Sequence, residues 1–311
     1  MTDLHIHILP GVDDGSPNLS TSLEMAEIAA KSGVRILAVT PHANQTGIEG
    51  VEDGYVNYDS EQLLELFYRL EQEIRKEHIP ISLVRGMEIM SIGPLNEKIK
   101  ERKLIPLHES RYYLIEVPFD MAPDGIRRRL MEFPAMGKIP VLAHPERYFC
   151  VQDSPELLYE FREMGAVLQM NKGSVFGRFG KEAERTAQYL LENRLADCAA
   201  SDAHRANYRT PDMRPIREFL SEWYGESYAE LLLKVNPRRI LENRRFCMSR
   251  LRNEGGKDAG LSEKRKETSK DMHKMRSGCS DFISCLIARV WRVPDAAANW
   301  KRRERARDFN G

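Results

Sequence analysis

Along residues 1–245, short apolar runs alternate with amphipathic stretches, and that alternation most constrains what the chain can fold into. The runs fall at 2–7, 34–40 (VRILAVT), 81–88 (ISLVRGME), 112–117 (YYLIEV), 139–144 (IPVLAH), 166–171 (AVLQMN) and 197–201 (DCAAS). They are strand-length, and most are rich in Val, Ile and Leu. Helical patterns over 60–78, 123–137, 154–165 and 181–194 supply crossovers, and 236–245 (NPRRILENRR) reads as a closing helix with Pro in its first turn. Thr21 with Glu24 predicts a capping box opening the first helix, which Gly33 ends. Seven strands alternating with helices fit an α/β barrel or a doubly wound parallel sheet.

The 311 residues suffice for one large α/β domain plus a tail. The predicted boundary lies at 249/250. Beyond it, sixteen Lys and Arg face nine Asp and Glu, whereas residues 1–249 carry the compensating acidic excess. Residues 250–281 contain no aromatic side chain and mix Gly, Ser, Lys and Glu, the composition of a disordered segment. The apolar segment 282–293 (FISCLIARVWRV) is too short to span a bilayer and reads as an amphipathic helix. A basic tail of this kind is either a solvated end or a weak contact for an anionic surface. The amino-terminal residues show no basic stretch followed by a long apolar run, so neither a signal peptide nor a membrane span is expected. Five cysteines without CxxC pairing fit a reducing cytoplasm.

The apolar runs end in unusual residues. His5 and His7 project from one face of the first, because positions i and i+2 in a strand share a face. Such a pair is either a metal clamp or a costly core. His42 follows the second run, Glu88 closes the third, Glu116 lies late in the fourth, and His144 ends the fifth. Asp202 and His204 follow the seventh, and Asp13 and Asp14 occupy the loop after the first. Each alone is more often a solvated or satisfied polar residue. Their recurrence at one strand edge, where parallel α/β folds place active sites, favours a metal centre. Five of eight histidines fall there; His78, His108 and His273 do not. The number of donors suits two or three ions, and nitrogen and oxygen donors without thiolate fit Zn, Mn or Fe. Asp3 shares the parity of His5 and His7 and is either an orienting partner for an imidazole or a plain strand residue. Clustered divalent ions serve hydrolysis by making hydroxide at neutral pH and clamping a phosphoryl group. Arg147 and Arg209 flank the proposed ligands and suit phosphate oxygens, with surface salt bridges as the alternative role. No cysteine has Arg six positions on, and GxxxxGK[ST] and GxSxG are absent, so the common thiol, P-loop and serine chemistries have no motif to support them.

The stretches HIHILPGVDDG, TPH, GMEI, IEVP, AHPER, LQMNKGSVFGRFG and SDAHRANYR resemble the polymerase-and-histidinol-phosphatase (PHP) superfamily. Within it they resemble the manganese-dependent bacterial protein-tyrosine phosphatases of capsule and exopolysaccharide operons, from residue 1 to about 245. The resemblance implies a distorted (β/α)7 barrel with a trinuclear centre. One ion takes His5, His7, Glu116 and Asp202, with Glu116 bridging to a second held by His42 and His144. A third takes Asp14, Glu88 and His204. Manganese is the first expectation, with Fe, Zn, Co or Mg as other candidates. Arg147 and Arg209 match the phosphate-binding arginines. The implied substrate is the phosphotyrosine tail of a cognate bacterial tyrosine kinase that controls polysaccharide synthesis. No nucleic-acid partner is expected, and a homo-oligomer is compatible. The rival readings are a histidinol-phosphate or nucleotide phosphatase, an amidohydrolase (disfavoured because Glu116 stands where a carbamylated Lys belongs) and a non-catalytic regulator.

Overall fold

Pro41, just past the second predicted strand, and Gly86, within the third, mark the points where the chain changes sheet. The computed structural model describes residues 1–45 and 54–244. Among these residues the strands are β1 (Thr2–Ile6), β2 (Ile36–Val39), β3 (His42–Ala43), β4 (Ser82–Arg85), β5 (Glu88–Met90), β6 (Tyr112–Glu116), β7 (Ile139–Ala143), β8 (Val167–Asn171) and β9 (Cys198–Ala200). All pairings between them are parallel, in a three-stranded sheet β1-β2-β4 and a six-stranded sheet β3-β5-β6-β7-β8-β9. The expectation of seven strands therefore gives way to more and shorter ones. Beyond the second run, the chain passes from β2 to β3 across Pro41, which has no N–H for a ladder. The third passes from β4 to β5 across Gly86, where an added Cβ would lie 3.0 Å from the Leu107 side chain and 3.1 Å from that of Thr40. The two changeovers lie side by side: Gly86 N–H donates to Val39 O (3.0 Å) and Glu88 N–H to Pro41 O (3.1 Å).

The far edges of the two sheets also meet. Ile6 bridges Ala203 in parallel, His7 N–H donates to Ala203 O (2.9 Å), and Asp202 N–H donates to His5 O (2.9 Å).

Strands buried on both faces explain the continuous apolar runs. On β6, Tyr112 and Leu114 join a small core with Leu4, Ala38, Val141, Ala143, Val167 and Cys198. Tyr113 and Ile115 point the other way, into the large core under the helices. Ile240 and Leu241 of the helix Asn236–Leu241 close the small core at its base. The face that carries Tyr112 and Leu114 ends in Glu116, and the β8 face that carries Val167 continues through Gln169 and Asn171. The small core thus gives way to polar side chains at the carboxyl ends of the strands.

Helices form where the amphipathic pattern predicts them, at Glu61–Lys76, Pro123–Ala135, Leu157–Glu163 and Lys181–Glu192, and a further one spans Arg214–Tyr224. The first helix, Leu19–Lys31, is capped by Asn18, whose side chain accepts from Thr21 N–H, and the predicted Thr21/Glu24 box lies inside it. Gly33 ends it at φ 92°. The predicted tail, 250–311, and its apolar segment 282–293 lie outside the described residues. Among those described, no helix is long and apolar enough to cross a membrane.

Candidate metal centre

The carboxyl ends of β1, β6, β7 and β9 and the starts of β3 and β5 deliver the donors. His5 lies on β1 with His7 just beyond it, His42 opens β3, Glu88 opens β5, and Glu116 closes β6. His144 follows β7, Asp202 and His204 follow β9, and Asp14 sits in the loop after β1. His144 (φ 35°), Asp202 (φ 48°) and Arg209 (φ 49°) adopt left-handed backbone, which costs an L-residue about 1–2 kcal/mol. Such strain persists where surrounding bonds enforce it: His144 N–H donates to Gln169 O (2.8 Å), and the Asp202 N–H is bound to His5 O.

All nine predicted ligands converge. Glu88 is central, with Oε1 2.9 Å from His144 Nε2 and 3.1 Å from His5 Nε2. Its Oε2 lies 3.0 Å from His42 Nδ1 and 3.2 Å from His7 Nε2. Asp202 Oδ1 is 3.6 Å from His5 Nε2, His7 Nε2 and His204 Nδ1 alike. Asp14 Oδ1 is 3.3 Å from His204 Nε2 and 3.4 Å from His42 Nε2, and Glu116 Oε1 is 3.1 Å from His42 Nδ1. Eight of the nine fall into three overlapping groups, His7–Asp14–His42–His204, His5–His7–Asp202 and His42–Glu88–Glu116, each with donor atoms within 4.8 Å, and His144 joins through Glu88. Glu88 stands among four imidazoles, and β3 and β5 pair His42 directly with it.

The cluster demands cations. His5 Nδ1–H donates to Gln169 Oε1 (2.9 Å), an amide whose own Nε2–H donates to Met170 O (2.8 Å). His7 Nδ1–H donates to Asp13 Oδ2 (2.8 Å). These partners keep a proton on each Nδ1, and the two Nε2 atoms face each other across 3.2 Å, a contact that needs a cation, either a proton or a metal ion. Burial pushes both rings down, but Glu88 and Asp202 beside His5 and Asp13 beside His7 hold them above the usual imidazole range. His204 Nδ1–H donates to Asp202 O (3.2 Å), and among the described residues its buried Nε2 and Glu88 Oε2 have close ionic neighbours but no aligned hydrogen bond. Buried acceptors facing acceptors are unfavourable without a positive charge between them. Burial pushes the Glu88 carboxyl up, but His5 and His42 hold it well below the usual range. Burial likewise opposes ionisation of Asp202, and Arg209 and His5 overcome it. Burial, with His7 beside it, lowers His204 to about 4. Anionic carboxylates and unprotonated ring nitrogens without thiolate are the donor set of divalent ions such as Mn, Fe or Zn, and the residues fit them.

The family model for capsular polysaccharide synthesis proteins, CpsB/CapC, matches residues 1–242. The chain belongs to this family. It is 36% identical over 241 residues to the tyrosine-protein phosphatase YwqE of Bacillus subtilis, covering 75% of this chain and 92% of that one. It is 30% identical over 248 residues to the tyrosine-protein phosphatase CpsB of Streptococcus agalactiae, covering 78% and 99%. A solved structure from work on YwqE of Bacillus subtilis and CpsB of Streptococcus pneumoniae, described as unique metal-dependent tyrosine phosphatases, aligns with a TM-score of 0.72. That match has 33% identity and covers 79% of this chain and 96% of the other.

Around the donors, this CpsB/CapC chain supplies further groups that sequence reasoning assigned otherwise or missed. Asp3 orients no imidazole; its Oδ1 accepts from Ser201 N–H (3.0 Å) and His5 N–H (3.4 Å). A register shift between Asp3 and Ile6 breaks the parity that would have placed it with His5. The orienting carboxylate is Asp13, which also accepts from His42 N–H (3.0 Å) and Gly15 N–H (2.9 Å). Gln45 Nε2–H reaches Glu116 Oε1 (2.9 Å), and Asn171 Nδ2–H reaches Asp202 Oδ2. Gln169 and Asn171 had a signal: two polar residues at i and i+2 on one face of an apolar strand. Arg147 and Arg209 both approach Asp202, with Nη1 3.6 Å from Oδ2 and Nη2 2.5 Å from Oδ1. Their side chains are 18% and 17% exposed, which places them in the site rather than on the open surface. His78 and His108 are exposed and stand apart from it.

Proposed function

We propose that this chain is a metal-dependent protein-tyrosine phosphatase acting in the cytoplasm on the phosphotyrosine tail of a cognate bacterial tyrosine kinase that governs capsule or exopolysaccharide synthesis. The observation that carries this reading is a buried set of inward-facing lone pairs and carboxylates with two guanidinium groups beside it. We read His5, His7, Asp14, His42, Glu88, Glu116, His144, Asp202 and His204 as the ligands of two or three ions, with manganese the expected metal. We also read the two sheets as parts of one distorted barrel, which the β1–Ala203 contacts and the adjacent β2–β3 and β4–β5 changeovers support.

Bound divalent ions lower the pKa of water toward neutrality and offset phosphoryl charge. The chain's own groups do the rest. Arg147 and Arg209 present planar forks that match phosphate oxygens and absorb charge on the equatorial oxygens as the bond to the leaving group breaks. Asp13 and Gln169 hold His7 and His5 in one tautomer, so no proton moves when substrate arrives. A tyrosine phenolate leaves with a conjugate-acid pKa of about 10 and needs less acid assistance than a serine alkoxide. That difference favours aryl phosphates.

Turnover of a phosphotyrosine peptide and of histidinol phosphate by the manganese-loaded protein tests the reading. The expected result is a kcat/KM for the peptide well above that for histidinol phosphate. The reverse order assigns the same centre to small-molecule phosphate hydrolysis.

A further inference from the structure

Two phenyl rings hold Arg147. Its guanidinium carbon lies 4.5 Å from the ring centre of Phe119 and 4.1 Å from that of Phe179. The guanidinium of Arg209 lies 5.6 Å from the same Phe179 ring, so one aromatic side chain contacts both arginines of the site. The chain makes room for that ring: a Cβ on Gly173 would come within 2.8 Å of Phe179 Cε2. Gly177 (φ 69°) and Gly180 (φ 92°) turn the backbone on either side of it. The FGRFG stretch, which neither the metal ligands nor the arginines account for, is thereby given a purpose.

We propose that Phe179, together with Phe119, is a positioning residue that holds the Arg147 and Arg209 forks in place for the phosphoryl group. The inference rests on the reading of those arginines as phosphate ligands. An aromatic face attracts a guanidinium through its quadrupole and leaves the in-plane N–H groups free. A carboxylate partner would occupy those donors. At Arg147, Asp202 Oδ2 is 3.6 Å from Nη1, beyond hydrogen-bond reach, so that fork stays free. At Arg209, Asp202 Oδ1 takes Nη2 (2.5 Å) and Asp202 O takes Nε–H (3.2 Å), and Phe179 restricts the side chain without freeing its whole fork. Long Arg side chains lose rotamer freedom when they bind, and a ring that restricts them beforehand reduces that cost at the moment of reaction.

The test compares Phe179→Leu, which keeps apolar bulk without the ring, with Phe179→Tyr, which keeps the ring. Metal content, kcat and KM on a phosphotyrosine peptide, and inhibition by inorganic phosphate are measured on manganese-loaded protein. Phe179→Leu is expected to keep its metal, to lose about three- to thirtyfold in kcat/KM, and to bind inorganic phosphate more weakly by a similar factor. Phe179→Tyr is expected to recover most of both. Inorganic phosphate carries no ring, so unchanged phosphate inhibition in Phe179→Leu overturns the proposal by showing that Phe179 meets only the substrate's aryl group. An equal loss in the Tyr and Leu variants also overturns it. Arg147→Ala is run in parallel. If it is impaired while Phe179→Leu is not, the phosphate reading stands and this inference fails; if Arg147→Ala matches wild type, the phosphate reading itself fails. Should Phe179→Leu not fold, Phe119→Leu carries the same expectations.

Discussion

At the scale of single residues, the site is a problem in tautomers. His7 can offer Nε2 to a cation only while Nδ1 keeps its proton, and Asp13 enforces that state. Burial pushes the Asp13 carboxyl up, but His7 and His42 hold it below its usual range, so it remains an acceptor. Asp13→Asn is expected to cost about ten- to a hundredfold in metal affinity or kcat, read by metal titration and steady-state rates, because an amide can donate to His7 as readily as accept. Retention of full metal affinity and rate would remove Asp13 from the account. Arg209→Ala is expected to lower kcat/KM by about ten- to several-hundredfold with metal content unchanged, and Arg209→Lys to recover part, since ammonium keeps the charge without the fork. The five histidines were legible because each stands conspicuously at the end of an apolar run. The partners that orient them were not. His5 and Gln169 are 164 residues apart, and only the fold decides which carboxylate or amide reaches which ring.

Elements set the precision of those contacts. The loop after β1 must turn back on itself, with Ser16 N–H donating to His7 O at 2.9 Å. At Gly15 an added Cβ would lie 2.2 Å from His7 O and 2.4 Å from His7 Cβ, so the backbone itself would have to move. Arg205 ties this loop to the one after β9, donating to Asp14 O (2.6 Å), to Gly15 O and to His204 O (2.9 Å). Gly15→Ala should therefore lower metal content and activity together. Gly137→Ala is the control: φ is 68° but nothing lies within 4 Å of the added carbon. It should cost about 1–2 kcal/mol of stability by denaturant unfolding and leave kcat unchanged. A Gly15→Ala protein with wild-type metal content and rate would contradict this account of the loop. Strand positions were readable from the apolar runs, since burial on both faces writes itself as continuous hydrophobicity. The breaks at Pro41 and Gly86 were harder to read, because a Pro just past one run and a Gly within another mark a local turn without saying that the backbone changes sheet there. Asn18 displaced Thr21 as the helix cap for a similar local reason: both residue types cap well, and the geometry of the preceding loop selects one.

For the whole molecule, apolar packing and the polar centre divide the labour. Leu4, Leu114, Val141 and Val167 fill the small core, with Ile240 and Leu241 beneath them, while Glu88 and Asp202 sit buried among imidazoles. Packing supplies stability, and the charged cluster becomes favourable only when cations join it. Chelation should thus lower the melting temperature as well as the rate. Among the described residues neither cysteine is an activated nucleophile: burial pushes the Cys198 thiol well up, and the Cys150 thiol is raised by burial as well. The most direct measurement removes metal from the purified protein with a chelator, counts ions per chain before and after, and follows phosphotyrosine hydrolysis and melting temperature as manganese is returned. A parallel sample is treated with a thiol alkylator. The account predicts two or three ions per chain, loss of hydrolysis and a lower melting temperature on chelation, recovery with manganese, and indifference to alkylation. Hydrolysis that survives complete metal removal but is abolished by alkylation would contradict it.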